Sequence, residues 1–558
     1  MKSYTEKSLI DIDRILASKP EEVELHGDRL SVTEVLAVAR QNTPVSFTSD
    51  KSVMIRIQSC YEHMMDDVRN GVPIYGCNTG YGGQASHVLV DGTPDERVAL
   101  ARAISEGIAH VDVSSGPLFG KDIIRGAMVI RINMLMRGVS AIRLSDLDIY
   151  REMLNKQITP LVNQYGGIGA SGDLAHNCRV LDAARQLPGT KVWDAQGNVM
   201  EAMAALPAAG IPQLMLEPKA GLGFVNGDNF STSLALLLAV DTLHAILLTS
   251  IVNAMVIEVL RGTDRSFHPM LGSLRPHAGQ QEAASLFRYL LQGSRLAYQE
   301  MAGHKKRDKG VSVQDAYSLR CLSQFQGVNI EKIKVYLDQI TVNANSVSDN
   351  PLWVPDDMAT EGEKPWQWVS GGNFIAMHMV EVLDGLRKSI TQAVKLNDRH
   401  LARMVAKHAN NGLPANLSDK SAVTQCAFKG VQIQSGMLEV YSMALSMPIS
   451  TLFGVHEEGN QDVTAHSLTS GIMGIENLRL LRYSIAQNLL AVSQAVDLRG
   501  GPRLLSPHTK PMYELVRSKV PYITKEQPLH NEIEVLYDTI VSGEAVKVAR
   551  SQVFSDYI

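Results

Sequence analysis

No two of the five cysteines (Cys60, Cys77, Cys178, Cys321 and Cys426) stand at metal-ligand spacing, so the sequence offers no metal site. Scattered thiols of this kind are expected to stay reduced, which points to a cytoplasmic protein. A net charge of −5 provides no basic surface for nucleic acid or anionic lipid. The one basic cluster, Lys305-Lys306-Arg307 with Lys309, lies between Gly303 and Gly310 and reads as a solvated loop. The first residues, MKSYTEKSLIDIDRIL, lack the apolar core of a signal peptide. Dinucleotide fingerprints, internal repeats and blocks of alternating strand are absent as well.

What is present is ordinary globular material, 45% apolar and 20% charged. One stretch, residues 231–260, is long and apolar enough to cross a bilayer. It carries Asp241, His244 and Asn253, which are costly in lipid. A helix apolar on nearly all sides is also what the centre of a large bundle requires, and the chain is read as soluble. Helical periodicity predicts helices over 53–69, 95–107, 120–137 and 145–154, and Ser31 with Glu34 has capping-box spacing. Residues 191–193 and 198–200 form a candidate hairpin. Length alone favours several domains, although a single large helical unit also fits.

The most specific stretch is Gly166-Gly167-Ile168-Gly169-Ala170-Ser171-Gly172-Asp173-Leu174. As local structure it is a tight loop before a helix, with Ser171 and Asp173 as N-cap candidates. Further glycine-rich or polar strings occur at intervals. Tyr75-Gly76-Cys77-Asn78-Thr79-Gly80-Tyr81-Gly82 breaks a helical pattern, and Phe224-Val225-Asn226-Gly227 leads into the apolar stretch. Gln314, Tyr317 and Arg320 recur every three residues and would share one side of a helix. Asn345-Ser346-Val347-Ser348-Asp349-Asn350-Pro351-Leu352, Gly371-Gly372-Asn373-Phe374 and Gly459-Asn460-Gln461-Asp462-Val463 complete the set. His277, in a Pro-His turn before another helix, reads as structural.

In this order, from about residue 75 to 501, the strings resemble the motifs of aromatic amino acid ammonia-lyases and aminomutases. The resemblance implies a mainly α-helical fold, a large bundle of the ammonia-lyase (fumarase/aspartase-like) type. Residues 1–220 would carry the two loops, 221–501 the central bundle and 502–558 a helical tail. It implies that Ala170, Ser171 and Gly172 cyclise, losing two waters, to 4-methylideneimidazole-5-one (MIO). Tyr75 would be the catalytic base and Tyr317 would stand with Gln314 at the reaction centre. Arg320 would hold the substrate carboxylate, Asn226 the amine or the prosthetic group, and Phe374 would lie over that group. Gly82, Leu174 and Gln461 would complete the substrate contacts. The family shares its active sites between subunits, which implies a homotetramer.

The chemistry needs such groups. The β-proton of an aromatic amino acid is very weakly acidic, ammonia is a poor leaving group, and no standard side chain is electrophilic enough to activate the amine. A tyrosine titrates near 10, so as a base its pKa must be lowered by positive dipoles or a cation. Gln461 stands where the histidine-directed branch usually carries glutamate. In the family a pair three and four places before a helix glycine lines the ring pocket; counted from Gly107, the resemblance implies Ala103 and Ile104 there, an apolar pair that leaves a buried hydroxyl unpaired. The implied substrate is therefore phenylalanine-like and the product an arylacrylate, with a β-amino acid as the outcome if the chain is an aminomutase. A catalytically silent scaffold of the same fold is the other reading, and the joint retention of Tyr75, Ala170-Ser171-Gly172, Tyr317 and Arg320 argues against it. Asp228, His176-Asn177 and Ile375-Ala376 depart from the family pattern near the site.

Overall fold

The computed structural model describes residues 3–301, 313–362, 367–452 and 454–557, so the basic cluster at 305–309 lies outside the described residues. The expected mainly α-helical class holds. The helices that frame the site are α1 (Pro94–Ala109), α2 (Lys121–Leu135), α3 (Leu174–Ala184), α4 (Asn229–Val259), α5 (Leu322–Ala344), α6 (Met377–Val405) and α7 (Ser467–Leu498). The capping box and the hairpin expected in the N-terminal half both form. Ser31 and Glu34 make the reciprocal capping box. Strand Lys191–Trp193 pairs antiparallel with Val199–Glu201, and Thr159–Pro160 adds a third strand.

The apolar stretch becomes α4, the core helix. All of its residues except Asp241 and His244 are buried, and α2, α5, α6 and α7 pack around it. The three polar residues that are costly in lipid each find a partner. Asp241 pairs with Arg40 at 2.7 Å and Arg482 at 2.9 Å, and His244 lies 3.1 Å from Asp13. Asn253 meets His400 at 3.0 Å. A helix this apolar has the length to cross a membrane, but here its surface is taken up by neighbouring helices.

Helices α4, α6 and α7 run in the same direction. At one end Ser231 Oγ and Ser467 Oγ are 2.7 Å apart, and Ala376, just before α6, donates its N–H to the Gly169 carbonyl. At the other end His400 of α6 meets Asn253 of α4, and Arg499 donates to the Val259 carbonyl. Helix α5 runs oppositely, bringing Asn343 within 3.0 Å of Asp228 at the first end. Three helix N-termini thus converge where the Gly166–Leu174 stretch crosses the bundle.

Candidate active site

That stretch is pinned from behind. Ile168 accepts from the His466 N–H and Asp173 N–H donates to the Gly227 carbonyl, both at 2.8 Å. Gly172 bridges Gly227 with φ +66°, and an added Cβ would sit 2.3 Å from a Gly227 backbone carbon, so only glycine fits. Asp173 takes the N-cap position of α3, but its carboxylate does not cap that helix. It accepts instead from Ser231 N and Oγ on α4, both at 2.7 Å, and burial pushes its pKa up to about 7.

In front lies a cavity of about 370 Å³, within the range of small-molecule sites. It gathers Tyr75, Gly82, Ala170, Ser171, Leu174, Asn226, Phe374 and Gln461. Gln461 Nε2 donates to Ser171 Oγ at 2.7 Å. Loop hydrogen bonds hold Tyr75 in place: Asn78 Oδ1 accepts from Ile74 N at 2.7 Å, and Thr79 Oγ1 from Gly76 N at 3.0 Å. The Tyr75 hydroxyl accepts from Gly82 N at 2.9 Å. Contrary to the expected lowering, burial raises the phenol's pKa and Glu457 adds to the shift; only the Gly82 amide opposes them.

The other expected residues lie elsewhere. Gln314, Tyr317 and Arg320 do not share a helix. Ala316 is extended, so the helical turn covers Tyr317–Arg320 and Gln314 precedes it. The Arg320 guanidinium stacks over the Tyr317 ring at 4.5 Å. Ser318 of this turn contacts His400, about 35 Å along α6 from Met377 at ~1.5 Å per residue, so within one chain the group is at the far end of the bundle. Ala103 and Ile104 do not line the cavity either. Ala101, Ser105 and Ile108 form the inward stripe of α1, which turns Ala103 to solvent; Ile108 and, beyond the helix, Val111 supply the apolar wall.

Sequence reasoning missed Tyr81, Glu457 and Asn350, which also line the cavity. Glu457 could have been suspected, being an acid four residues before Gln461 in the same turn. The departures divide into two groups. Ile375 lines the cavity, whereas Asp228, His176 and Asn177 are buried behind it. Asn177 Nδ2 donates to the carbonyls of Val225 and Gly227, at 3.1 and 3.0 Å, on either side of Asn226. Asp228 accepts from Asn343, and burial raises its pKa. Among the described residues no cluster could hold a metal ion.

A helical bundle with several N-termini aimed at an Ala-Ser-Gly loop beneath a tyrosine loop defines a class, and the comparisons agree. The family profile described as aromatic amino acid lyase matches residues 30–518, and the chain belongs to that family. It is 32% identical to a phenylalanine ammonia-lyase of Nostoc punctiforme, over 95% of this chain and 94% of that one. It is equally 32% identical to a histidine ammonia-lyase of Myxococcus xanthus, over 94% and 98%. The solved tyrosine aminomutase of Streptomyces globisporus superposes with a TM-score of 0.84 at 28% identity, covering 95% of this chain and 99% of that one.

Proposed function

We propose that the chain eliminates ammonia from an L-aromatic amino acid, phenylalanine or a close analogue, to give the arylacrylate. The observation that carries the reading is the placement of Ser171 in the cavity wall, between the Tyr75 hydroxyl loop and Gln461. The surroundings fit an MIO group formed from Ala170, Ser171 and Gly172: the Gly172 backbone leaves no room for a side chain, and buried helix ends back the loop. When formed, MIO supplies an electrophilic carbon that no standard side chain has.

The chain's own residues do the rest. Helix N-termini at the loop favour negative charge there. Once positive charge brought by the assembled site has ionised it, the Tyr75 oxygen, oriented by the Gly82 N–H, receives the β-proton. Phe374, Leu174, Ile108, Leu222 and Val463 give an apolar seat for the ring, in which a phenol would cost about 1–3 kcal/mol if left unpaired. Among the described residues no lysine or arginine lines the cavity. A substrate carboxylate therefore needs a cation from elsewhere, and Arg320 with Tyr317 and Gln314 of another copy would supply it in a homotetramer. Cytoplasmic location is part of the same reading.

Incubation with phenylalanine, tyrosine and histidine, followed by chromatography, tests the proposal. An arylacrylate with phenylalanine fastest is the expected outcome. Faster turnover of tyrosine or histidine overturns the ring seat, and a β-amino acid as the main product moves the chain to the aminomutases.

A further inference from the structure

Asn226 is held by partners that can only accept. Its Nδ2 lies 3.3 Å from Asp349 Oδ1 and 3.3 Å from the Asn350 carbonyl. A carboxylate and a backbone carbonyl have no proton to give, so the nitrogen end of the amide must face them. The amide oxygen has no partner among the described residues and is not one of the buried unpaired atoms, so it is what Asn226 presents to the cavity it lines.

Asp349 is itself half of an ion pair. Lys219 Nζ donates to its other oxygen at 2.8 Å and to the Ser140 carbonyl at 3.3 Å, and both charged side chains are 0% exposed. A buried pair of this kind adds little net stability, and apolar groups often replace it without loss. Its place one side chain behind the cavity therefore calls for another reason. The backbone around Asn226 is fixed independently: Arg131 donates to the Asn226 carbonyl at 3.2 Å, and Asn177 holds the two flanking carbonyls. Side-chain rotation is the freedom left to Asn226.

We propose that the Lys219–Asp349 pair is a positioning device that draws the Asn226 NH2 group inward and turns its carbonyl oxygen out to accept from the substrate's amino group. The inference rests on the proposed function for the identity of that ligand. Lys219 and Asp349 touch no substrate and act only through Asn226.

The double variant Lys219→Met/Asp349→Leu removes both charges, so no unpaired ion is left buried. Calorimetric titration with 2-phenylethylamine, which lacks the carboxylate, and 3-phenylpropionate, which lacks the amine, reads the effect. Amine binding should weaken by about tenfold or more, the scale of one lost hydrogen bond to a charged group, while propionate binding changes by less than about twofold. Equal losses for both ligands, or no loss for either, overturn the proposal. If the unaltered protein binds neither ligand, the substrate reading fails, and crystal structures of the two proteins still decide the positioning. An Asn226 side chain turned away from Asp349 in the unaltered protein, or one unmoved in the double variant, overturns it.

Discussion

The Tyr75 hydroxyl and the Gly82 amide, seven residues apart, meet at 2.9 Å and close their loop on itself. Gly82 is in turn pressed against Glu457, where an added Cβ would come within 2.0 Å of Oε1, so the loop and the Glu457 turn form one wall of the cavity. Burial and the Glu457 carboxylate both raise the phenol's pKa. Both effects oppose ionisation of Tyr75, and activating it takes positive charge that the described residues lining this cavity do not supply.

Removing only that oxygen isolates its role. Tyr75→Phe keeps the ring and should lower kcat by on the order of 10²–10⁴, the range for a general base, with KM little changed. Steady-state kinetics on phenylalanine checks this. A loss below about tenfold would assign the proton to another group.

The second prediction needs no substrate. If Ala170, Ser171 and Gly172 cyclise, the intact mass of the purified protein is lower than the sequence mass by two waters. Ser171→Ala should keep the helical fold by circular dichroism and lose nearly all activity, because the side chain that dehydrates is gone. An unaltered protein of full sequence mass rules out the cyclised loop.

The third concerns the far end of the bundle. Tyr317 and Arg320 are about 35 Å from the cavity of their own chain by helix rise, so sites shared between copies should complement. Tyr75→Phe and Arg320→Ala homo-oligomers should each be nearly inactive. Oligomers mixed from the two should recover a fraction of the activity, since some sites then combine an intact Tyr75 with an intact Arg320. Mixed oligomers as inactive as their parents would place both residues in one chain's site.

The motifs could be read from sequence because each is a short string whose geometry is local: Gly172 needs left-handed backbone, and the Tyr75 loop closes on its own Asn78 and Thr79. Core helix α4 is legible for a similar reason, being apolar on nearly all sides. What failed depended on direction. Counting from Gly107 points to Ala103 and Ile104, but the buried Ala101, Ser105 and Ile108 decide which side of α1 faces inward. A three-residue spacing puts Gln314 on the helix of Tyr317 and Arg320, but the extended Ala316 interrupts it. Glu457 lies near Gln461 in the chain, but its packing against Gly82 joins two loops far apart in sequence, a contact no local pattern encodes.

The last prediction concerns stability away from the site. Glu258 near the end of α4 is fully buried; its carboxylate accepts from Ser506 N at 2.6 Å and Thr509 Oγ1 at 2.7 Å, and burial pushes its pKa up to about 7. Between the unfolded value near 4.3 and about 7, the folded chain keeps a proton that the unfolded chain has released. Its contribution is therefore fully present below that unfolded value and is lost as pH rises through 7. Glu258→Gln keeps the shape and cannot titrate. From pH 4.5 to 8 the stability of the unaltered protein relative to this variant should fall by on the order of 3 kcal/mol. Denaturant unfolding at several pH values reads the difference, and parallel profiles for the two proteins would remove Glu258 as the titrating group.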